Sequence, residues 1–188
     1  MAKAYILLAE GFEEVEALAA ADVLIRSGVE TVLTGIDPMK REVCGSHGIR
    51  VISSECFTDP VTYDPARFGD ADAVILPGGK QGTANLKASK AVAEMVKAYY
   101  DAGKYVCAIC AAPTVLAACG ILDGLEATCF PGFEKEMADA IYVDAPAIVT
   151  GNVITGRSMG TAVEFGLKVA EKLVGRETAE KTAASLHR

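Results

Sequence analysis

Three short stretches of this sequence carry groups able to act together on a carbonyl. Cys110 stands where the apolar run 105–109 meets Ala111, Ala112 and Pro113 and a helical pattern begins. A thiol at such a corner faces a helix start, where partial positive charge favours the thiolate. Pro77, Gly78 and Gly79 follow a second apolar run, 73–76. Glycine there lets backbone N–H groups approach a developing oxyanion with no Cβ in the way. The acidic stretch 10–16, ending in Glu16, follows a third run, 5–9. In an open parallel sheet, ligands collect outside the carboxyl ends of the strands. If these three strands are neighbours, a carboxylate, a donor loop and a thiol converge, a set suited to nucleophilic attack on a carbonyl.

Each group also has a plainer reading. Glu13 and Glu14 read as acids in a helix's first turn, complementing its dipole. Glu16 lies on the side of Leu24 at helical spacing, with Ala19 and Ala20 beside it, and a carboxylate turned towards a sheet needs a partner. Both a structural and a functional role stay open for it. Gly78 and Gly79 also suit a simple turn after a buried strand, and Cys110 a small core hydrophobe. Cys107 and Cys110 spell C-x-x-C, but Cys107 falls inside the strand run, which argues against a working dithiol.

The elements that position these residues follow from apolar periodicity. Strands are predicted at 5–9, 31–34, 73–76, 105–109, 141–143, 147–149 and 153–155. Helices are predicted over 13–27, stopped by Gly28 and burying Val15, Leu18, Ala19, Val23 and Leu24, then over 89–102, 114–118 and 162–173, with a short one from Glu177. Residues 43–53 read as a hairpin turning at 46–48, and 59–69 as loop. Apolar runs alternating with amphipathic ones predict a doubly wound, mostly parallel α/β sheet with helices on both faces, as one domain spanning 1–188.

The chain has 188 residues, half of them apolar, and a net charge of −7. That charge argues against a general nucleic-acid binder, which relies on basic side chains to neutralise phosphates. Small solutes or other proteins are the expected partners. No apolar run is long enough to span a bilayer and the opening turns acidic at Glu10, so a cytoplasmic protein without a signal peptide is expected. The six cysteines are scattered through apolar segments and are expected to be reduced. No metal-ligand spacing, Walker loop or dinucleotide fingerprint is present, so neither metal nor cofactor is expected. The only histidines are His47 and His187, leaving His47 as the sole candidate for a Cys-His dyad, and Ala111 follows the thiol.

Together, the segments 8–16, 74–79, 108–113 and 156–161 resemble the ThiJ/PfpI superfamily, in the branch holding the parkinsonism-associated protein deglycase and bacterial YajL. The similarity runs through nearly the whole chain in consistent order. It implies a flavodoxin-like sandwich, a homodimer formed through the first helix and the following hairpin, Cys110 as an oxidation-prone nucleophile, Glu16 as its partner, and the Gly79 and Ala111 amides as oxyanion donors. It also implies that Arg26 and His47 lie near the neighbouring subunit's site. The sequence departs from its relatives at Phe130, where a histidine is common, at His47, which replaces a hairpin arginine, and at Met159, which replaces a proline.

What the resemblance implies is a cofactor-independent enzyme. A Cys110 thiolate would add to methylglyoxal or glyoxal while Glu16 shuttles protons, releasing a hydroxy acid, and the same attack would reverse early adducts on glycated protein. For the thiolate to persist beside it, Glu16 must hold a proton and titrate with Cys110 as a unit. A second reading is an oxidative-stress sensor or redox-regulated chaperone acting through oxidation of Cys110. A third, a cysteine peptidase, is disfavoured by Ala111.

Overall fold

Strand order explains how three segments far apart in sequence come to share one end of the molecule. The computed structural model describes residues 1–187. Its strands are β1 (Lys3–Leu8), β2 (Glu30–Gly35), β3 (Glu42–Cys44), β4 (Arg50–Ile52), β5 (Glu55–Cys56), β6 (Ala73–Leu76), β7 (Tyr105–Ile109), β8 (Glu126–Ala127), β9 (Ile141–Tyr142), β10 (Ala147–Thr150) and β11 (Val153–Gly156). Its helices are α1 (Glu14–Arg26), α2 (Pro65–Phe68), α3 (Lys80–Ala88), α4 (Lys90–Asp101), α5 (Pro113–Ala118), α6 (Ala162–Val174) and α7 (Arg176–Ser185). Seven strands form one sheet in the order β10-β11-β7-β6-β1-β2-β5. Every pairing in it is parallel except β10 with β11. This is a flavodoxin-like, doubly wound arrangement in which the chain switches direction between β1 and β6.

Both faces of the sheet are covered, so its central strands are apolar on both sides. Tyr5, Leu7, Val74, Leu76, Val106 and Ala108 point towards the side covered by α3, α4 and α5, where Leu86, Met95, Tyr99 and Leu116 pack. Ala4, Ile6, Leu8, Ile75, Cys107 and Ile109 point towards α1, α6 and α7, meeting Ala20, Leu24, Phe165 and Val169. Cys107 is therefore a core side chain inside β7, fully buried on the opposite side from Ala108. All six cysteines are free. Among the described residues, no helix is long and apolar enough to cross a membrane.

The predicted strands and long helices are present, with three differences. First, α1 buries Ala17, Ala20, Ala21, Val23 and Leu24, while Val15 and Leu18 face outwards. The reason is close packing: Gly166 of α6 approaches so near that a Cβ there would lie 3.3 Å from the Ala20 Cα and 3.2 Å from the Val23 Cβ. Glycine at 166 and alanine at 20 let the two helices come this close. Second, α3 was not anticipated. Its sequence includes Gly82, Thr83 and Asn85, weak helix formers, and glycine is needed where it passes Phe12, because a Cβ on residue 82 would come within 2.6 Å of the Phe12 backbone. Third, part of the expected loop 59–69 is helical: Asp64 accepts hydrogen bonds from the Ala66 and Arg67 amides, and Pro65 opens the turn.

Candidate functional site

The parallel register brings the three chemical segments together. Ile6 pairs with Ile75 and Leu76 with Ala108, so β1, β6 and β7 end side by side. Beyond those ends lie the 10–16 stretch, Gly78-Gly79 and Cys110.

Cys110 occupies a strained elbow. Its φ of 65° is left-handed, a conformation costing a non-glycine residue on the order of 1–2 kcal/mol. Tertiary hydrogen bonds on both sides hold it there. Its amide donates to the Gly156 carbonyl at 2.9 Å, and its carbonyl accepts from the Phe130 amide at 2.8 Å. Pro113, in the first turn of α5, presets the following backbone.

Glu16 enters from α1. It is 1% exposed, and its Oε2 accepts a hydrogen bond from the Gly78 amide at 2.8 Å, while its Oε1 is buried with no hydrogen-bond partner. Gly78 is irreplaceable on steric grounds: a Cβ there would sit 2.7 Å from both the Cys110 Cβ and Glu16 Oε2. Gly79 has φ 87°, and a Cβ on it would meet the Gly11 carbonyl oxygen at 2.4 Å. Both glycines thus serve close approach, and Gly79 also a backbone conformation that favours glycine.

The electrostatics couple the two side chains. Burial raises the Glu16 carboxyl to about 7, against stabilisation of its charge by the Cys110 thiol and the Gly78 amide. Burial, then the neighbouring Glu16 carboxylate, push the Cys110 thiol up to about 12. The Gly79 and Ala111 amides pull the thiol the other way by hydrogen-bonding its charged form. Once Glu16 takes a proton, the like-charge repulsion ends, so thiolate and carboxylic acid form together. The Ala111 amide, at the start of α5, favours the thiolate in the direction the sequence suggested, but burial outweighs it.

The structure thereby brings Cys110, Glu16, Gly78, Gly79 and Ala111 together, but divides the glycines. The Gly78 amide is committed to Glu16, so it is not an oxyanion donor; the Gly79 and Ala111 amides face the sulfur. Arg26 is at the other end of α1, roughly 15 Å along the axis from Glu16 at 1.5 Å per residue. It is ion-paired with Asp22 on the surface. His47 lies on the β3–β4 turn, where its Nδ1 is 3.0 Å from Glu14 Oε2.

Glu14 stands in the first turn of α1, as expected, but does more than complement its dipole. It is 3% exposed, and Oε1 accepts from the His47 amide at 2.7 Å while Oε2 meets the Ser46 hydroxyl at 3.0 Å. Burial opposes its charge, but these hydrogen bonds, led by His47, hold its carboxyl down at about 2. Gly45 makes room: a Cβ there would come within 2.3 Å of the carboxyl. Glu14 therefore docks the hairpin on α1. Glu13, Glu14 and His47 also place one donor atom each within 4.8 Å of one another, but Glu14 already spends its oxygens on the turn. No spacing signal marks Glu14 in the sequence, because its partners come from a turn more than thirty residues later. Gly156 opens a segment that carried the resemblance, but its part in holding the elbow, through its carbonyl, had no signal in residue type.

Fold and site define a flavodoxin-like α/β sandwich bearing a cysteine elbow against a buried glutamate. The chain belongs to the DJ-1/PfpI family, whose model matches residues 2–172. It is 36% identical over 185 residues to protein dj-1beta of Drosophila melanogaster, covering 97% of this chain and 95% of that protein. It is 34% identical over 176 residues to the glutathione-independent glyoxalase DJR-1.2 of Caenorhabditis elegans, covering 92% of this chain and 88% of that one. The structure superposes with a TM-score of 0.91 on a DJ-1 superfamily protein from Salmonella typhimurium, solved as a cysteine-to-alanine variant; the two are 33% identical, with 100% and 98% of the chains covered.

Proposed function

We propose that the protein is a cofactor-independent cysteine enzyme converting reactive dicarbonyls, methylglyoxal or glyoxal, to hydroxy acids, and acting by the same attack on early adducts of glycated protein. The observation that carries this reading is a carboxyl poised at about 7 against the Cys110 thiol, near the optimum for moving protons at neutral pH. The relative named as a glutathione-independent glyoxalase supports the reaction class.

Cys110 sulfur bonds to the aldehyde carbon as Glu16 takes the thiol proton, and the Gly79 and Ala111 amides hold the oxyanion. Protonation gives a hemithioacetal. Glu16 then removes the proton on the former aldehyde carbon and returns it to the neighbouring carbon through an enediol. One carbon is oxidised and the other reduced, so no external oxidant is consumed. Water cleaves the resulting thioester, releasing the hydroxy acid and restoring the thiol.

The chain acts as a homodimer in this reading. Val15, Leu18 and Ile25 are exposed along one side of α1, and Ile49 and Ile52 on the adjoining hairpin. Pairing these faces would cover them, and the expected placement of Arg26 and His47 near a neighbouring site belongs to the same dimer. The working compartment is the cytoplasm, where its six free cysteines stay reduced.

The test is lactate formation from methylglyoxal by wild type and Cys110→Ser at matched folding. Product that depends on Cys110 is the expected result; its absence overturns the enzyme reading. An oxidative-stress sensor is the second reading, favoured by the unpartnered Glu16 Oε1 beside the thiol, which would donate to a sulfinate oxygen when protonated. Selective sulfinate formation at Cys110 under graded peroxide, with no dicarbonyl turnover, would replace the first reading by the second.

A further inference from the structure

Two large side chains stay exposed on residues whose backbone adjoins the reacting pair: Phe130 at 42% and Met159 at 50%. Each is tied through its own backbone to one member of that pair. The Phe130 amide bonds the Cys110 carbonyl, and the Met159 amide lies close enough to the Glu16 carboxyl to favour its charged form. The Phe130 ring and the Met159 backbone are both braced. The Phe130 ring meets Phe133 edge-on with centroids 6.4 Å apart, and Phe133 packs on the core. The Gly132 amide donates to both Glu134 carboxylate oxygens, at 2.8 and 2.9 Å, closing that loop. Met159 opens a single helical turn fixed by a reciprocal cap between Ser158 and Thr161.

We propose that Phe130 and Met159 set the substrate class of the Cys110 site, selecting α-oxoaldehydes whose ketone carries an aromatic or bulky apolar group over bare glyoxal. This rests on the carbonyl chemistry proposed above. The aldehyde carbon must meet the sulfur, which leaves the substituent on the adjacent carbon at the rim. A phenyl group there loses water against an aromatic ring and a polarisable thioether, both of which favour such contact. Glyoxal has nothing to place in that position.

The measurement is the ratio of kcat/KM for phenylglyoxal to that for glyoxal, followed as hydroxy acid in wild type, Phe130→Ala, Phe130→Tyr and Met159→Ala. Taking both rates on one sample cancels any difference in folded fraction. The ratio should fall about tenfold in Phe130→Ala, the effect of one lost aromatic contact. It should fall less in Met159→Ala and be kept in Phe130→Tyr. A ratio unchanged by both alanine variants overturns the proposal. If wild type makes no hydroxy acid from either aldehyde, the enzyme reading fails by itself, and the rim is read separately from Cys110 alkylation followed by mass spectrometry. The rate ratio of phenacyl bromide to iodoacetamide then falls in Phe130→Ala if the rim recognises apolar groups, and stays at the wild-type value if it does not.

Discussion

The Gly78 amide donates to Glu16 Oε2 at 2.8 Å, and that one bond joins the first helix to the loop after β6 within reach of Cys110. It fixes the carboxyl while leaving Oε1 without a hydrogen-bond partner, and burial raises that carboxyl to about 7.

Replacing Glu16 by Gln keeps the shape and removes the proton shuttle. Turnover of methylglyoxal should fall by about 10²–10⁴, while Cys110 still alkylates with iodoacetamide. Steady-state kinetics beside an alkylation time course checks both halves, and a fully active variant removes Glu16 from the mechanism.

The active form of the Cys110–Glu16 pair holds one proton, whichever atom carries it. With the carboxyl raised to about 7, kcat/KM should climb as pH rises through about 7, and Glu16→Gln should lose that limb. Stability moves the opposite way. The folded carboxyl binds its proton more tightly than the unfolded one, so wild type loses stability relative to Glu16→Gln as pH rises from about 4.5 to about 7, by on the order of 2–3 kcal/mol. Denaturant midpoints across that window give the sign.

Gly78→Ala places a methyl 2.7 Å from the Cys110 Cβ and Glu16 Oε2. Overpacking of this kind costs about 1–3 kcal/mol, and the displaced carboxyl should lower kcat more than it raises KM. Retained activity would mean that the pair tolerates separation.

Glu14→Ala should loosen the β3–β4 hairpin and cost about 2–3 kcal/mol at neutral pH, through loss of charge-assisted hydrogen bonds in a buried position. The carboxyl is lowered from 4.5 to about 2, so wild type holds this advantage above about 4.5 and loses it as pH falls through about 2. Hydrogen exchange at the 45–49 turn, compared between wild type and variant, reports the local release.

Cys110→Gly should be more stable than Cys110→Ala by about 1 kcal/mol, because φ at this position is 65° and glycine adopts it freely. Equal melting temperatures would show that the elbow carries no strain.

The sheet was legible in advance because β1, β6 and β7 are short apolar runs bounded by turn residues, a pattern set by burial on both faces. The elbow was legible too, since Pro113 and the thiol mark a strand-to-helix corner. The outward face of α1 was not. Periodicity separates one side of a helix from another but does not say which meets the core, and α6 decides it here, its Gly166 packing closely on Ala20 and Val23. Nor was α3, because its sequence includes weak helix formers.

By itself, the sequence determined the alternating α/β plan, the cysteine at a corner and the glycines after β6, because each depends on local pattern or on backbone freedom. Only the tertiary structure shows Glu16 against the Gly78 loop beside the thiol and Glu14 against the hairpin, two residues apart on one helix. Successive positions there differ by about 100° in direction, and what lies in each direction is fixed by strands and turns distant in the chain. Burial next to those partners then sends the two carboxyls opposite ways, Glu16 up to about 7 and Glu14 down to about 2.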